Sequence, residues 1–328
     1  MKIIRYFYQK EIKAGLLINQ SQVINIDDIE LNINTNLNKH DKYVIENKLY
    51  NVEPIFLISL INKGVITKKI NFKQDSIIEL NNIELLSPIT KPNSIRDGYA
   101  FKQHVEAGRK ARGLPMIEEF DLNPVYYYSN HSAITGPGNL FFNKKHLNKL
   151  DFELELAIII GKEGQNISVK DADEYIFGFM IMNDWSARDV QMKEMKLNLG
   201  PAKGKDFCTS LGPYLTTKDE LKKQTSKTKN GNIYDLKMSA FINDEKVSED
   251  TSKNMYWTFA EIISHISIGT KLYPGDIIGS GTCATGCLYE LNLTNKTDNW
   301  LKLNDVIKLK IESLGELENK IKMEKINE

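Results

Sequence analysis

Two glutamates, Glu153 and Glu155, stand one residue apart in the apolar stretch LDFELELAIIIG at residues 150–161. Side chains alternate between the two faces of a β-strand, so a strand here puts both carboxylates on one face, opposite Leu154 and Leu156. Two like charges are costly to bury without partners, and a divalent cation between them removes that cost. The stretch therefore predicts two ligands of a metal site, with a solvent-exposed strand face as the alternative.

A third carboxylate, Asp184, ends the apolar stretch YIFGFMIMND, just before a predicted helix with Ser186 as its N-cap. Three carboxylates from two strands provide the hard oxygen donors that Mg²⁺, Mn²⁺ or Ca²⁺ prefer. Arg188 and Gln191 follow at helical spacing, so they lie on the same side of the helix as Asp184. Arg188 can bind a substrate carboxylate in bidentate fashion, and an ion pair with one of the glutamates is the alternative.

The loop LGPAKGKDFCTSLGP carries Lys205 and Thr209. Its glycine and proline residues exclude a regular helix. Such a loop can bring the Lys205 ammonium to an oxygen atom at the metal, and the Thr209 hydroxyl can hydrogen-bond a ligand or a water molecule. A solvated surface lysine is the alternative for Lys205.

Among five histidines, His104 stands out because it follows Asp97 by seven residues in the amphipathic segment RDGYAFKQHVEAG. A histidine beside a metal can act as a general base, because its pKa lies near neutrality. A purely structural histidine is the alternative.

The stretch GSGTCATGCLYEL contains Thr282 and Glu290. It predicts either a loop that binds a ligand through Thr282 or a plain turn between two strands. Its glycine spacing is not that of a dinucleotide-binding loop, which excludes a Rossmann-type dehydrogenase.

Three cysteines, Cys208, Cys283 and Cys287, argue against a disulfide framework. Cys283 and Cys287 are four residues apart, but no cluster of further cysteines or histidines accompanies them in the sequence. Structural zinc usually has four nitrogen or sulfur ligands, so we expect no zinc site here.

Charge and hydropathy exclude several classes of protein. The 328 residues contain 43 Lys and Arg against 43 Asp and Glu, which argues against nucleic acid or an anionic membrane surface as a partner. The N-terminus has no signal-peptide pattern, and no apolar run approaches the roughly 18 residues of a membrane span. We therefore expect a soluble protein of the cytoplasm.

Two regions are predicted to position these side chains. Residues 1–86 are expected to form a small β-rich domain, because IIRYFY, GLLI and SQVINI are strand-like and VEPIFLISLINKGV predicts a helix that stops at Gly64. Pro88 and Pro92 then mark a boundary, and residues 87–328 carry the polar residues of the predicted site.

The pattern within residues 87–328 predicts an α+β fold with a curled mixed or antiparallel sheet, because strands dominate and do not alternate with helices. RDGYAFKQHVEAGRKARG and WTFAEIISHIS are predicted helices. YDLKMSAFINDEKVSED is a predicted hairpin that turns at Asn243 and Asp244. GDIIGSGT, CLYELNLT and DVIKLKIESLGELENKI are predicted strands.

Six stretches together resemble the fumarylacetoacetate hydrolase family. They occur in the family's order and cover roughly residues 87–320; they are RDGYAFKQHV, YYYSNHSAITGPG, LDFELELAIIIGKEG, GFMIMNDWSARDVQ, LGPAKGKDFCTSLGP and GDIIGSGTCATG. The resemblance implies a mixed, β-roll-like catalytic domain, usually in a homodimer. The first 86 residues would be the family's variable N-terminal domain.

The resemblance also assigns roles to residues. The implied metal ligands are Glu153, Glu155, Asp184 and, as the fourth carboxylate of fumarylacetoacetases, Asp97. The resemblance places Lys205 and Thr209 beside the metal, and makes His104 the residue that activates water, with Glu290 as its orienting carboxylate. The implied contacts to the substrate or its oxyanion are Tyr99, Arg188, Gln191 and Thr282.

The leading hypothesis is a hydrolase that uses Mg²⁺ or Mn²⁺, with Ca²⁺ as a further option, to cleave a C–C bond in a 1,3-diketo acid. Fumarylacetoacetate or an acylpyruvate would be such a substrate. Decarboxylation, isomerisation, hydration or dehydration of a 2-oxo acid at the same metal is the alternative. A non-catalytic metal-binding protein is a third hypothesis, against which Lys205 and His104 argue.

Overall fold

Strands outnumber helices in the computed structural model, which describes residues 1–33, 37–69, 71–111 and 113–325. In chain order, strands β1 to β21 are Lys2–Tyr8, Glu11–Leu17, Gln22–Asn25, Ile77–Glu79, Glu84–Leu86, Ile95–Gly98, Tyr126–Ser129, Ile134–Thr135, Gly138–Phe142, Leu150–Asp151, Leu154–Ile160, Ile176–Asp184, Ser186–Ala187, Thr209–Thr217, Thr225–Thr228, Gly231–Tyr234, Lys237–Ile242, Glu245–Thr251, Ile277–Gly279, Val306–Ile311 and Gly315–Met323. Helices α1 to α8 are Lys39–Glu46, Leu49–Val52, Ile55–Asn62, Lys102–Ala111, Val169–Ala172, Arg188–Glu194, Phe259–Ile266 and Leu288–Asn295. Short 3₁₀ segments are Ile26–Asp28, Gln74–Ser76, Leu80–Asn82, Glu118–Asp121, Leu147–Lys149, Asp173–Tyr175, Met195–Leu197, Lys218–Gln224 and Ser252–Asn254.

One large mixed sheet runs through the molecule in the order β4-β3-β2-β1-β14-β12-β11-β19-β6-β7, with β5 on β1 and β8 on β14. A second sheet has the order β18-β17-β20-β21-β9. The predicted α+β class with a mixed sheet is confirmed. No helix in the described part of the chain is long and apolar enough to cross a membrane.

The central strands β11 and β12 are buried on both faces because each face packs against a different core. On β11, the side chains of Leu154, Leu156 and Ile158 enter one core, whereas Ala157 and Ile159 enter the other. Period-two alternation therefore sorts the residues between two apolar layers, and not between core and solvent. Glu153 and Glu155 lie on the same face of the strand as Ala157, and both are buried. The alternative of a solvent-exposed acidic face is therefore wrong.

The N-terminal strands extend the large sheet. β1 pairs antiparallel with β14, where Ile3 lies opposite Leu215. The apolar core that holds Ile3 also holds Ala157 and Ile159 of β11. The described residues of the first 86 thus share a sheet and a core with the rest of the chain. A domain boundary between residues 86 and 87 stays a prediction.

The predicted hairpin at Asn243 and Asp244 joins β17 to β18, and both residues have positive φ, 51° and 65°. Two positive φ angles are what a two-residue type I′ turn requires. The predicted helix WTFAEIISHIS is α7, which begins with a capping box between Thr258 and Glu261.

Three local predictions are wrong. CLYELNLT is not a strand but helix α8, because its first backbone N–H groups find acceptors in the carboxylate of Asp151. Ser186 does not cap α6: it lies in β13, and its hydroxyl donates to the Asp184 carbonyl at 3.1 Å. The first residues of RDGYAFKQHVEAG form strand β6, because β7 and β19 pair with it, and the helix α4 begins only at Lys102.

Candidate active site

Four buried carboxylates converge at one end of the large sheet. One oxygen atom from each of Asp97, Glu153, Glu155 and Asp184 lies within 4.8 Å of the others. All four residues are at most 6% exposed. The sequence-predicted metal ligands thus meet in one place.

The order of strands explains this convergence. β12 ends at Asp184, β11 carries Glu155, and β6 carries Asp97, with β19 between β11 and β6. Glu153 lies just before β11. Gly279 on β19 leaves room for the cluster, because a Cβ atom there would lie 2.5 Å from Asp97 Oδ1 and 3.0 Å from Glu155 Oε2. The same Cβ atom would lie 2.3 Å from Met182 Cε, so a larger residue at position 279 would force these side chains to shift.

The carboxylate cluster fits a hard divalent cation. Glu155 Oε2 and Asp184 Oδ1 are buried and have no hydrogen-bond partner among the described residues. Burial and the charge of Asp184 raise the pKa of Asp97 to about 8. Burial and the neighbouring Asp97 hold the pKa of Glu155 well above its usual range. Buried oxygen donors that lack partners and resist ionisation are the environment that Mg²⁺, Mn²⁺ or Ca²⁺ would stabilise.

Lys205 is buried in this cluster, so the alternative of a solvated surface lysine is wrong. Its ammonium donates to Glu153 Oε2 and to Asp184 Oδ2, both at 2.6 Å. Burial alone would lower the pKa of Lys205, but Asp184 and Glu153 outweigh it and raise the pKa. For Glu153, burial alone would raise the pKa, but Lys205 and Arg188 lower it to about 2. Glu153 is therefore the ionised anchor of the cluster.

Arg188 makes the ion pair that the sequence left open as an alternative. Its Nη2 donates to Glu153 Oε1 at 2.7 Å, and its Nε donates to Asp151 Oδ2 at 2.8 Å. Its Nη1 donates to Gln191 Oε1 at 3.0 Å. Contact of Arg188 and Gln191 with a substrate stays a prediction.

His104 and Glu290 form a buried pair. His104 Nδ1 lies 2.6 Å from Glu290 Oε2. Because an ionised carboxylate can only accept, Nδ1 carries the proton in this pair and Nε2 of a neutral ring is left as an acceptor. When His104 is protonated, its charge lowers the pKa of Glu153, although less than Lys205 and Arg188 do, which places the pair beside the carboxylate cluster.

The remaining predicted residues surround these groups at different distances. The Thr282 hydroxyl lies 3.5 Å from Glu155 Oε1, at the limit of a hydrogen bond. Thr209 is opposite Asp184 in the β12–β14 register, but its hydroxyl lies 3.4 Å from Ser129 Oγ. The ring of Tyr99 packs edge-on against His104, with centroids 5.8 Å apart.

Two residues of the site were missed in the sequence. The hydroxyl of Tyr127 donates to Asp184 Oδ2, and Tyr127 lies opposite Asp97 in the β6–β7 register. Asp151 accepts from Arg188 and from the backbone N–H groups of Leu288 and Tyr289. The signal for Asp151 was its place two residues before Glu153 in the same alternation.

A family model described as the C-terminal domain of fumarylacetoacetate (FAA) hydrolase matches residues 93–322. The chain belongs to the fumarylacetoacetate hydrolase family. The resemblance of the six stretches is thus confirmed, and the family's members act on small molecules.

The curated relatives of this family member carry more than one activity in their names. Fumarylacetoacetase of Oryza sativa subsp. japonica is 32% identical over an alignment of 267 residues that covers 67% of this chain and 61% of the rice protein. The mitochondrial oxaloacetate tautomerase Fahd2a of Rattus norvegicus is 30% identical over 246 residues, or 75% of this chain and 71% of the rat protein. Family membership therefore shows an enzyme family but leaves the reaction open.

Solved structures show the same fold. Fumarylacetoacetate hydrolase from Exiguobacterium antarcticum superposes with a TM-score of 0.71 at 23% identity and covers 99% of this chain and 100% of its own. Maleylpyruvate hydrolase from Sphingobium sp. SYK-6 superposes with a TM-score of 0.66 at 20% identity, with coverages of 99% and 100%. The predicted fumarylacetoacetate hydrolase-type fold is confirmed.

Proposed function

We propose that this family member is a divalent-metal-dependent hydrolase that cleaves a C–C bond in a 1,3-diketo acid, such as fumarylacetoacetate or an acylpyruvate. The observation that carries the proposal is the buried His104–Glu290 pair beside four converging carboxylates. A hydrolase needs a base for water next to an electrophilic carbonyl. This pair supplies the base, and the cluster supplies the place for the metal.

In the proposal, Asp97, Glu153, Glu155 and Asp184 hold Mg²⁺ or Mn²⁺, with Ca²⁺ as a further option. A bound metal of this kind would chelate the oxo groups of the substrate and polarise one carbonyl. These four residues would fix its position, because Lys205 and Arg188 already orient Glu153 through both of its oxygens.

The protein's own residues then handle protons and charge. His104 takes a proton from water at Nε2, and Glu290 stabilises the imidazolium through Nδ1. Lys205 uses two of its three N–H donors in the structure, so one is left for an anionic oxygen of the substrate. Lys205 and Arg188 would stabilise the oxyanion and the departing enolate. We further propose that Tyr99, Arg188, Gln191, Thr209 and Thr282 contact the substrate.

The proposal is tested with a panel of acylpyruvates, fumarylacetoacetate and oxaloacetate, each with Mg²⁺ or Mn²⁺, in water enriched in ¹⁸O. C–C hydrolysis gives two products, and one of them gains ¹⁸O in the new carboxylate. Turnover of a diketo acid without cleavage or ¹⁸O incorporation would overturn the proposal.

A second candidate is tautomerisation of a 2-oxo acid such as oxaloacetate. The rat relative named as an oxaloacetate tautomerase aligns with 75% of this chain, against 67% for the rice fumarylacetoacetase. The same His104–Glu290 pair would then move a proton between carbon and solvent. Rapid deuterium uptake at C3 of oxaloacetate in D₂O, with no C–C cleavage of any diketo acid, would select this candidate over hydrolysis. Decarboxylation would instead release CO₂, and dehydration would release the oxygen of a substrate hydroxyl.

The proposal includes a homodimer in the cytoplasm, with no nucleic-acid or membrane partner. The homodimer rests on the family resemblance, and multi-angle light scattering at several protein concentrations would test it. The rat relative is named as mitochondrial, so a fluorescent fusion expressed in cells of the source organism would test the location.

A further inference from the structure

A second cluster of metal-ligating side chains lies next to the carboxylate cluster. One donor atom from each of His104, Cys287 and Glu290 lies within 4.8 Å of the others. The three residues are 8%, 0% and 3% exposed, respectively. His104 comes from α4, whereas Cys287 and Glu290 belong to the N-terminal end of α8.

The two clusters differ in the kind of ion that they suit. The carboxylate cluster offers only oxygen donors, which are typical of Mg²⁺ and Mn²⁺ sites. The second cluster offers an imidazole nitrogen, a sulfur and a carboxylate oxygen. This combination is typical of Zn²⁺, which accepts all three types and prefers four-coordinate geometry.

The spacing of the cysteines alone predicted no zinc site, but the fold brings His104 and Glu290 to Cys287. We propose that these three residues form a binding site for one Zn²⁺ ion, whose occupation inhibits the enzyme. The binding part of the inference stands on the three donors alone. The inhibition part rests on the proposed function, because it assumes that His104 and Glu290 act as the catalytic pair.

The three donor atoms, which all lie within 4.8 Å of one another, would have to adjust to hold one ion. Donor atoms on one tetrahedral Zn²⁺ are roughly 3.3–3.6 Å apart, given bond lengths of about 2.0–2.3 Å. His104 Nδ1 and Glu290 Oε2, now 2.6 Å apart, would therefore have to separate by about 0.7 Å. A water molecule would complete the coordination, as in zinc sites with three protein ligands.

The charges also balance. On binding, the thiol proton of Cys287 leaves to solvent, and the single proton of the neutral His104 ring moves from Nδ1 to Nε2. Zn²⁺ with one thiolate and one carboxylate is then neutral, which avoids a net charge in a buried site. The proton on Nε2 blocks the atom that would accept a proton from water, so the bound ion stops the proposed base catalysis.

Local structure makes Cys287 a suitable position for a test. Its Sγ accepts from the backbone N–H of Glu290 at 3.5 Å, so it is the N-cap of α8. Serine is one of the preferred N-cap residues, so Cys287→Ser should keep the helix end. Cys283 is the matched control, because it is equally buried, four residues away, and not a member of the cluster.

The binding test uses the full chain saturated with Mg²⁺ and titrated with Co²⁺ as a spectroscopic stand-in for Zn²⁺. We expect a thiolate-to-cobalt charge-transfer band in the near ultraviolet that saturates at one ion per chain, is displaced by Zn²⁺, and persists in Cys283→Ser. The band should be absent in Cys287→Ser. A missing band in the native protein, or a band that Cys287→Ser retains, would overturn the site whatever reaction the enzyme catalyses.

The inhibition test follows turnover of the best substrate from the panel at rising Zn²⁺ and saturating Mg²⁺. We expect the half-inhibiting Zn²⁺ concentration to rise at least tenfold in Cys287→Ser, with each variant referred to its own activity without zinc, and to stay unchanged in Cys283→Ser. Zinc that acts by replacing Mg²⁺ would inhibit both variants equally and would be relieved by more Mg²⁺, which would overturn the inhibitory role. If the cobalt band behaves as expected but zinc does not inhibit, the site stands and the proposed catalytic pair is wrong.

Discussion

His104 Nδ1 lies 2.6 Å from Glu290 Oε2, although 186 residues separate the two in the chain. The contact exists because α4 and α8 pack against each other. The carboxylate fixes which ring nitrogen carries the proton, and it thereby leaves the other nitrogen as an acceptor, as the proposed base requires. The relative position of two short helices thus decides which nitrogen of His104 can accept a proton.

Replacement of His104 by alanine should lower kcat by about 10²–10⁴-fold, because a positioned general base contributes that much. Glu290→Gln should lower kcat less, since the base remains but its tautomer is no longer fixed by a charge. Steady-state kinetics on the substrate found in the panel measures both effects.

Metal binding provides the control for these two variants. Neither residue belongs to the carboxylate cluster, so the Mn²⁺ affinity from calorimetry should stay within a few-fold of the native value. His131→Ala, at an exposed histidine, should leave kcat unchanged. Near-native turnover by His104→Ala would show that His104 is not the general base.

Glu155→Gln should abolish tight Mn²⁺ binding, because it removes a charged oxygen donor from the centre of the carboxylate cluster. Calorimetric titration of the metal-free protein would measure the loss. Circular dichroism should show an unchanged fold, since the amide has the shape of the carboxylate. Glu106→Gln, at an exposed glutamate on α4, is the matched control. Unchanged Mn²⁺ stoichiometry and affinity in Glu155→Gln would show that the metal does not bind at the carboxylate cluster.

The carboxylate cluster could be predicted from the sequence because its members are tied to strands. Glu153 and Glu155 follow the alternation of a strand, and Asp184 ends the next long apolar run, so the sequence itself brings them near each other. Asp97 was assigned to the cluster only through the family resemblance. Lys205 was predicted from a loop, which does not by itself fix its position relative to the strands. Their contacts depend on which strands are neighbours in the sheet, and a single sequence does not carry that information.

The identity of α8 could not be predicted for a related reason. Leucine alternates in CLYELNLT as it does in a strand, at Leu291 and Leu293. The Asp151 carboxylate that accepts from Leu288 N at 2.8 Å is 137 residues away in the chain. A helix that is stabilised at its N-terminus by such a distant acceptor has no local signal. The proximity of Cys287 to His104 could not be predicted either, because the two residues are far apart in the chain and only the fold brings them together.

Stability of the metal-free protein should fall as pH rises from 6 to 8. Burial and Asp184 raise the pKa of Asp97 to about 8, so the folded state holds a proton that the unfolded chain has already lost. The unfolded state binds fewer protons across this range, and stability therefore decreases with pH. Saturating Mn²⁺ should raise the melting temperature more at pH 8 than at pH 6, because the metal replaces the proton.

Two variants test the origin of this pH dependence. Asp97→Asn removes the titrating group, so the melting temperature of the metal-free variant should depend less on pH between 6 and 8. Asp121→Asn is the control: a hydrogen bond from Lys102 lowers the pKa of Asp121, so it does not titrate in this range. A native slope retained by Asp97→Asn would assign the effect to another group.

Asp151→Asn should destabilise the protein and lower turnover together. The Asp151 carboxylate accepts from Arg188 Nε at 2.8 Å and from Leu288 N and Tyr289 N at the start of α8. An amide offers one acceptor oxygen in place of two and turns an N–H donor toward these groups, so Arg188 loses one of its two buried charged partners and keeps only Glu153. Removal of one partner of a buried ion pair costs about 3–5 kcal/mol of unfolding free energy, which urea denaturation would measure. Turnover falls as well, because α8 positions Glu290 and Arg188 holds Glu153.

Asp298→Asn breaks the exposed pair with Lys149 and should change neither property, since exposed ion pairs contribute little. A stable Asp151→Asn variant with native turnover would show that the contacts of Asp151 with Arg188 and with the start of α8 are not needed to hold the site together.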